Sequence, residues 1–140
     1  MKLFSLIEKA FFLKKVKIFE DLDLDFLLAI ADKMHQDIYD KKEVIFSLGQ
    51  IANQIYLVAK GKVILYSKND QPTYLEEKGD FFGDESLYNE EPRAYRAVAA
   101  TDSLLFMLSR TDLLTIISEC PTVAIALLKH YTKLHPAKLL

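Results

Sequence analysis

The stretch FFGDESLYNEEPRAYRA, from Phe81 to Ala97, sets a glycine beside an acid and ends in Pro-Arg-Ala followed by a second arginine. Arg93 and Arg96 follow the acids Asp84, Glu85, Glu90 and Glu91. Such a stretch is either a pocket for a charged ligand or an acidic connection between strands. Glycine serves where the backbone needs positive φ or where another group must approach it closely. Gly79 and Gly83 bracket Asp80-Phe81-Phe82, so the chain is punctuated just before the acids.

The other two glycines, Gly49 and Gly61, fall between short apolar runs that read as strands. EVIF precedes SLGQ, and QIYLVA and KVILY flank Lys60-Gly61, which reads as a tight hairpin. SKNDQPT is a polar turn cluster, and AVAATDSLLFMLS supplies two more strand-like runs around Thr101-Asp102. Short strands at this spacing over residues 37–108 predict an all-β sandwich or barrel.

Helical patterns stand on both sides. Residues 1–36 form a helical lead-in. Leu3, Phe4, Ile7, Phe11 and Phe12 recur at helical spacing, and Leu22, Phe26, Leu27, Ile30, Ala31 and Met34 make a second apolar face. Asp21 or Asp23 suits the cap of that second helix. In residues 109–135, Ser109 or Thr111 suits a cap, Leu113, Leu114, Ile116 and Ile117 are expected inward, and Pro121 opens a last helix that Pro136 stops. The fold class is α+β, mainly β, in one domain over residues 1–140.

Composition excludes several classes. The chain is 51% hydrophobic and 27% charged with net charge −2, so it has no basic field for nucleic acid and no disordered character. A lone cysteine, Cys120, forbids an internal disulfide and fits a reducing, cytoplasmic compartment, where it acts as a small hydrophobe. Glu8 and Lys9 interrupt the N-terminal apolar run, which argues against a signal peptide, and no apolar run has the length of a membrane span. The N-terminal helix is expected to pack on its own domain or on a partner. His35, His130 and His135 are placed outside the barrel, which argues against a metal site, and no nucleophile motif stands beside a base. The chain does not read as an enzyme, and no cofactor is implied.

The loop, its lead-in YLEEKGDFFG and the upstream GQIANQIYLVAKGKV together resemble the cyclic nucleotide-binding domain family of kinase regulatory subunits, gated channels and catabolite-activator-type regulators. Phe82, Gly83, Leu87, Pro92, Arg93 and Ala94 match the family's loop with its spacing, and all four glycines fall at family glycine positions. The resemblance runs from about Lys15 to Leu134. It implies an antiparallel, jelly-roll-like β-barrel over residues 37–108 and binding of cAMP or cGMP by residues 82–94. Phe82 and Gly83 would open the loop, Asp84 take the ribose hydroxyl, Arg93 take the phosphate, and Ser86 and Ala94 offer N–H groups. That chemistry is sound for a cyclic phosphate monoanion. Free N–H groups at the start of a short helix and a guanidinium both favour it. The last helix would shift to cover the base.

The loop departs from the family pattern in five places. Asp84 replaces a Glu and is shorter by one methylene. Glu85 stands where an apolar residue is usual. Ser86 replaces Ala and Tyr95 replaces Ala. Arg96 stands where a Thr or Ser often touches the base. Lys42 also stands where a glycine is common. Two readings follow: a stand-alone cyclic nucleotide sensor, or a domain of the same fold in which Arg93 pairs with Asp84 or Glu85 and the protein acts as an interaction module. A protein partner or homodimer would use the N- or C-terminal helices. No DNA-binding module is expected after the barrel.

Overall fold

The structure, a computed structural model, describes residues 1–87 and 91–134. Glu90 of the acidic pair, His135 and the helix stop at Pro136 lie outside the described residues. The chain divides into two compact units. One holds Met1–Phe4 and Met34–Arg110, and the other holds Ser5–Lys33 and the chain from Thr111 on.

Among the described residues the first unit contains eight strands: β1 (His35–Tyr39), β2 (Val44–Phe46), β3 (Gln54–Lys60), β4 (Val63–Ser67), β5 (Pro72–Glu76), β6 (Phe81–Phe82), β7 (Tyr95–Ala99) and β8 (Ser103–Ser109). They form two antiparallel four-stranded sheets, in the orders β1-β8-β3-β6 and β2-β7-β4-β5. The chain crosses repeatedly from one sheet to the other, which is the jelly-roll-like arrangement the family resemblance implies. Between the sheets lies a core that includes Phe46, Tyr56, Val58, Leu65, Phe82 and Leu105. Tyr56 and Phe82 face each other across the β3–β6 pair and stack with ring centroids 5.0 Å apart. The central strands β3 and β8 are apolar almost throughout, as strands buried on both faces must be. Phe4 covers part of the outer face, edge-on to Phe106 at 5.1 Å.

Three expectations for this unit are corrected. Lys60-Gly61 does not close a hairpin, because β3 and β4 lie in different sheets. The turn is instead tied to the β7–β8 connection: Lys62 N–H donates to Thr101 Oγ1 at 3.0 Å, and Ala100 N–H donates to Lys62 O at 2.8 Å. His35 is not outside the barrel but is the first residue of β1, paired with Met107. PTYLE and FF form β5 and β6, which polar turn signals and short length conceal. Lys42 takes φ +76°, the left-handed conformation that explains a glycine at that place in the family pattern.

In the second unit, α1 (Leu6–Lys14) starts at a reciprocal cap. Glu8 N–H donates to Ser5 Oγ at 3.2 Å, and Ser5 N–H donates to Glu8 Oε1 at 2.9 Å. That cap leaves Leu3 and Phe4 outside the helix. α1 packs on α2 (Leu24–Lys33) and buries Ala10, Phe12 and Leu13, so Ile7 and Phe11 of the predicted face are exposed. α2 keeps its predicted face, with Leu27, Ile30 and Ala31 buried and Phe26 N–H donating to Asp23 Oδ1 at 3.2 Å. α3 (Arg110–Glu119) buries Leu113 and Ile116, whereas Leu114, expected inward, is exposed. α4 (Pro121–Leu134) opens at Pro121 as predicted and packs on the 3-10 turn Lys17–Phe19. Among the described residues no single helix is long and apolar enough to cross a membrane.

Candidate functional site

Arg93 is the centre of the loop region, and its backbone is fixed first. The turn after β2 grips it from both sides: Arg93 N–H donates to Gln50 O at 2.7 Å, and Gly49 N–H donates to Arg93 O at 2.9 Å. Pro92 bridges to Ile51 beside this grip. With the backbone held, the side chain runs inward to a position only 2% exposed.

Its guanidinium meets the loop at Gly83. Arg93 Nη1 donates to Gly83 O at 3.0 Å, and Arg93 Nη2 donates to Gln54 O at 2.7 Å. The flat face lies 4.3 Å from the Phe46 ring centre, a cation–π contact. Gly83 has φ +73°, and a Cβ there would stand 3.1 Å from Arg93 Nη1 and 3.2 Å from Tyr56 Cδ2. Glycine is therefore favoured both by backbone conformation and by the close approach of the guanidinium. Gly83 leads into one 3-10 turn, Asp84–Leu87. Ser86 is fully buried, and its hydroxyl donates to Gly83 O at 2.9 Å. Asp84 is half-buried beside Gly83, and Ala94 is exposed beyond Arg93.

The charge of Arg93 is already met. Arg93 Nη1 donates to Glu85 Oε1 at 2.5 Å, and Tyr95 O–H donates to Glu85 Oε2 at 2.9 Å. Tyr95 Oη also accepts the Gly83 N–H at 3.0 Å. Gly83, Tyr95, Glu85 and Arg93 thus form a closed ring of hydrogen bonds. Burial first, and then the Glu85 carboxylate, raise the Tyr95 hydroxyl far above its ordinary range, so it stays protonated and acts as a donor. The Glu76 carboxyl is pushed up to about 7, mainly by burial and further by Asp80 and Asp84. A negative field therefore stands on the Asp84 side of the loop.

Of the sequence-predicted residues, Phe82, Gly83, Asp84, Glu85, Ser86, Arg93 and Ala94 come together along one loop. Arg96 does not join them. Alternation along β7 sends it to the opposite face from Tyr95, where Nε and Nη2 both donate to Asp70 Oδ1, at 3.0 and 2.7 Å. There it also stacks on Tyr66 at 4.2 Å. Phe46 and Gln54 also build the site, and Tyr95, a departure from the family pattern, joins it as a hydrogen-bonding group. For Tyr95 the available signal was its register with the buried Ala97 and Ala99, which turns it inward.

A family model described as the cyclic nucleotide-binding domain matches residues 36–120 of this chain. The chain belongs to that family. The cyclic AMP receptor protein of Thermus thermophilus is 36% identical over 91 residues, which are 62% of this chain and 42% of that protein. Human cGMP-dependent protein kinase 2 is 30% identical over 93 residues, 63% of this chain and 12% of the kinase. The chain thus spans less than half the length of both curated relatives. The crystal structure of the Thermus thermophilus catabolite activator protein superposes with a TM-score of 0.77 at 31% identity, over 88% of this chain and 60% of that one. The regulatory domain of Toxoplasma gondii PKA, co-crystallised with cAMP, superposes with a TM-score of 0.75 at 24% identity, over 89% of this chain and 49% of that one. The last likeness speaks to fold alone. In this cyclic nucleotide-binding domain the arginine and glycine of the loop are in contact, and an acid bonded to the arginine and a tyrosine bonded to the glycine close the ring between them.

Proposed function

We propose that this chain is a non-enzymatic regulatory domain that binds cAMP or cGMP through residues 82–94. The observation that carries the reading is the Gly83–Arg93 contact at the head of the 3-10 turn. It sets a guanidinium at the start of a short helical turn, and a cyclic phosphate monoanion favours both a guanidinium and helix-start N–H groups. In this reading Arg93 is the phosphate ligand, Asp84 takes the ribose hydroxyl, and the N–H groups of Ser86 and Ala94 complete the cradle. The lone Cys120 supports a cytoplasmic setting.

A second reading is favoured by one observation. Glu85 holds Arg93 at 2.5 Å, so a protein of this fold can be complete without nucleotide and act as an interaction module. Exposed Leu6, Ile7 and Phe11 on α1 would then offer the partner surface.

Thermal unfolding separates the two. A ligand that binds only the folded state stabilises it by about 2.7 kcal/mol at a hundred times its Kd. cAMP or cGMP at millimolar concentration should raise the unfolding midpoint by several degrees, and the open-chain 5′-AMP should raise it less. Identical midpoints with and without either cyclic nucleotide would leave the interaction module standing.

A further inference from the structure

We propose that Glu85 is an internal competitor for the phosphate position, and that a cyclic nucleotide enters the loop only by displacing the Glu85 carboxylate from Arg93. This deepens the function proposed above and rests on it. The Arg93 side chain is 2% exposed, whereas that of Glu85 is 34% exposed. The acid is therefore the partner with a way out, and the arginine is the fixed one. Gln54 O, Gly83 O and the Phe46 face hold the guanidinium in place whether or not Glu85 stays.

The exchange is balanced in charge. A carboxylate and a cyclic phosphodiester are both monoanions, and each offers two oxygens to a guanidinium. Swapping one for the other leaves the buried cation paired throughout, which avoids the heavy penalty of an uncompensated buried charge. Glu85 has the advantage of attachment, since an intramolecular group acts at a high effective concentration. Tyr95 adds to it by donating to Glu85 Oε2 at 2.9 Å while its oxygen takes the Gly83 N–H at 3.0 Å. Displacement therefore costs the Arg93–Glu85 contact and one hydrogen bond from Tyr95. Only then does the Arg93–phosphate contact contribute to net affinity. Glu85 is in this account the residue that sets the threshold concentration of the sensor.

The test is calorimetric titration of the full chain and of Glu85→Gln with cAMP and with cGMP. Glu85→Gln keeps the length of the side chain and removes its charge. Glu85→Ala serves as a second variant that clears the position, and unfolding midpoints without ligand verify that each variant is folded. Binding should tighten roughly ten- to a hundredfold in Glu85→Gln, the range of a charged hydrogen bond. The unliganded variant should be no more stable than the parent. A parent that binds, with variants that bind equally or more weakly, overturns the competitor role and leaves the nucleotide reading intact. A silent parent with binding variants supports the competitor role but overturns the sensor reading of the unmodified chain, whose loop Glu85 then keeps occupied. Silence from all three proteins overturns both.

Discussion

The Tyr95 hydroxyl donates to Glu85 at 2.9 Å and is itself the acceptor for the Gly83 N–H at 3.0 Å. Tyr95→Phe deletes both contacts while keeping the ring, which packs edge-on against Phe46 at 5.2 Å. A buried donor left without its acceptor costs about 1–3 kcal/mol. Chemical denaturation should show a loss of that size. A variant as stable as the parent would mean that water replaces the hydroxyl without penalty.

Gly61 is expected to be far less tolerant than Gly49. Both have positive φ, and an alanine at Gly49 would meet nothing within 4 Å, so only backbone conformation opposes it, at about 1–2 kcal/mol. An alanine Cβ at Gly61 would in addition stand 2.5 Å from Asp102 O and press on Ser103 Oγ. The β7–β8 turn must then move. Denaturation midpoints of the two variants should fall in that order, and equal losses would contradict the close approach.

Glu76 gives the fold a definite pH dependence. Its carboxyl is raised to about 7 by burial and by the neighbouring Asp80 and Asp84, so the native state holds this proton more tightly than the unfolded chain. Its contribution to stability is full at acid pH and falls as pH rises from the ordinary carboxylate range through about 7. Glu76→Gln should flatten this window and leave the protein more stable than the parent at about pH 8. Denaturant melts at several pH values measure it. A parent whose stability rises through the window, unchanged by the substitution, would contradict the assignment.

Arg96→Ala should be nearly silent in ligand binding. Its partner Asp70 has a side chain 74% exposed, and surface pairs of this kind contribute about 0–1 kcal/mol. Stability should change by no more than that, and affinity for a cyclic nucleotide should not change. A large loss of affinity would return Arg96 to the site.

The residues that could be read from sequence are those whose role depends on spacing. Gly83 and Arg93 stand the right distance apart along the chain, and the fold needs only one loop to bring them together. Strands β7 and β8 and the α2 face were legible because their apolar runs are long and periodic. The Lys60-Gly61 turn was misread because local turn chemistry does not say which sheet the next strand joins. β5 and β6 are too polar or too short to carry a pattern. Arg96 turns to Asp70 and away from Glu85 because strand alternation, not its charge, decides which way it faces. The Arg93–Glu85 pairing was one of two open alternatives, Asp84 being the other. The Tyr95 tether depends on inward register and could not be read from charge.

Calorimetric titration of the unmodified chain with cAMP and cGMP tests the central claim most directly. The expected result is saturable heat with at least one cyclic nucleotide, weakened in Arg93→Lys, which keeps the charge but loses the fork that reaches Gly83 and Gln54. No heat with either nucleotide at millimolar concentration, from a protein verified as folded, would contradict it.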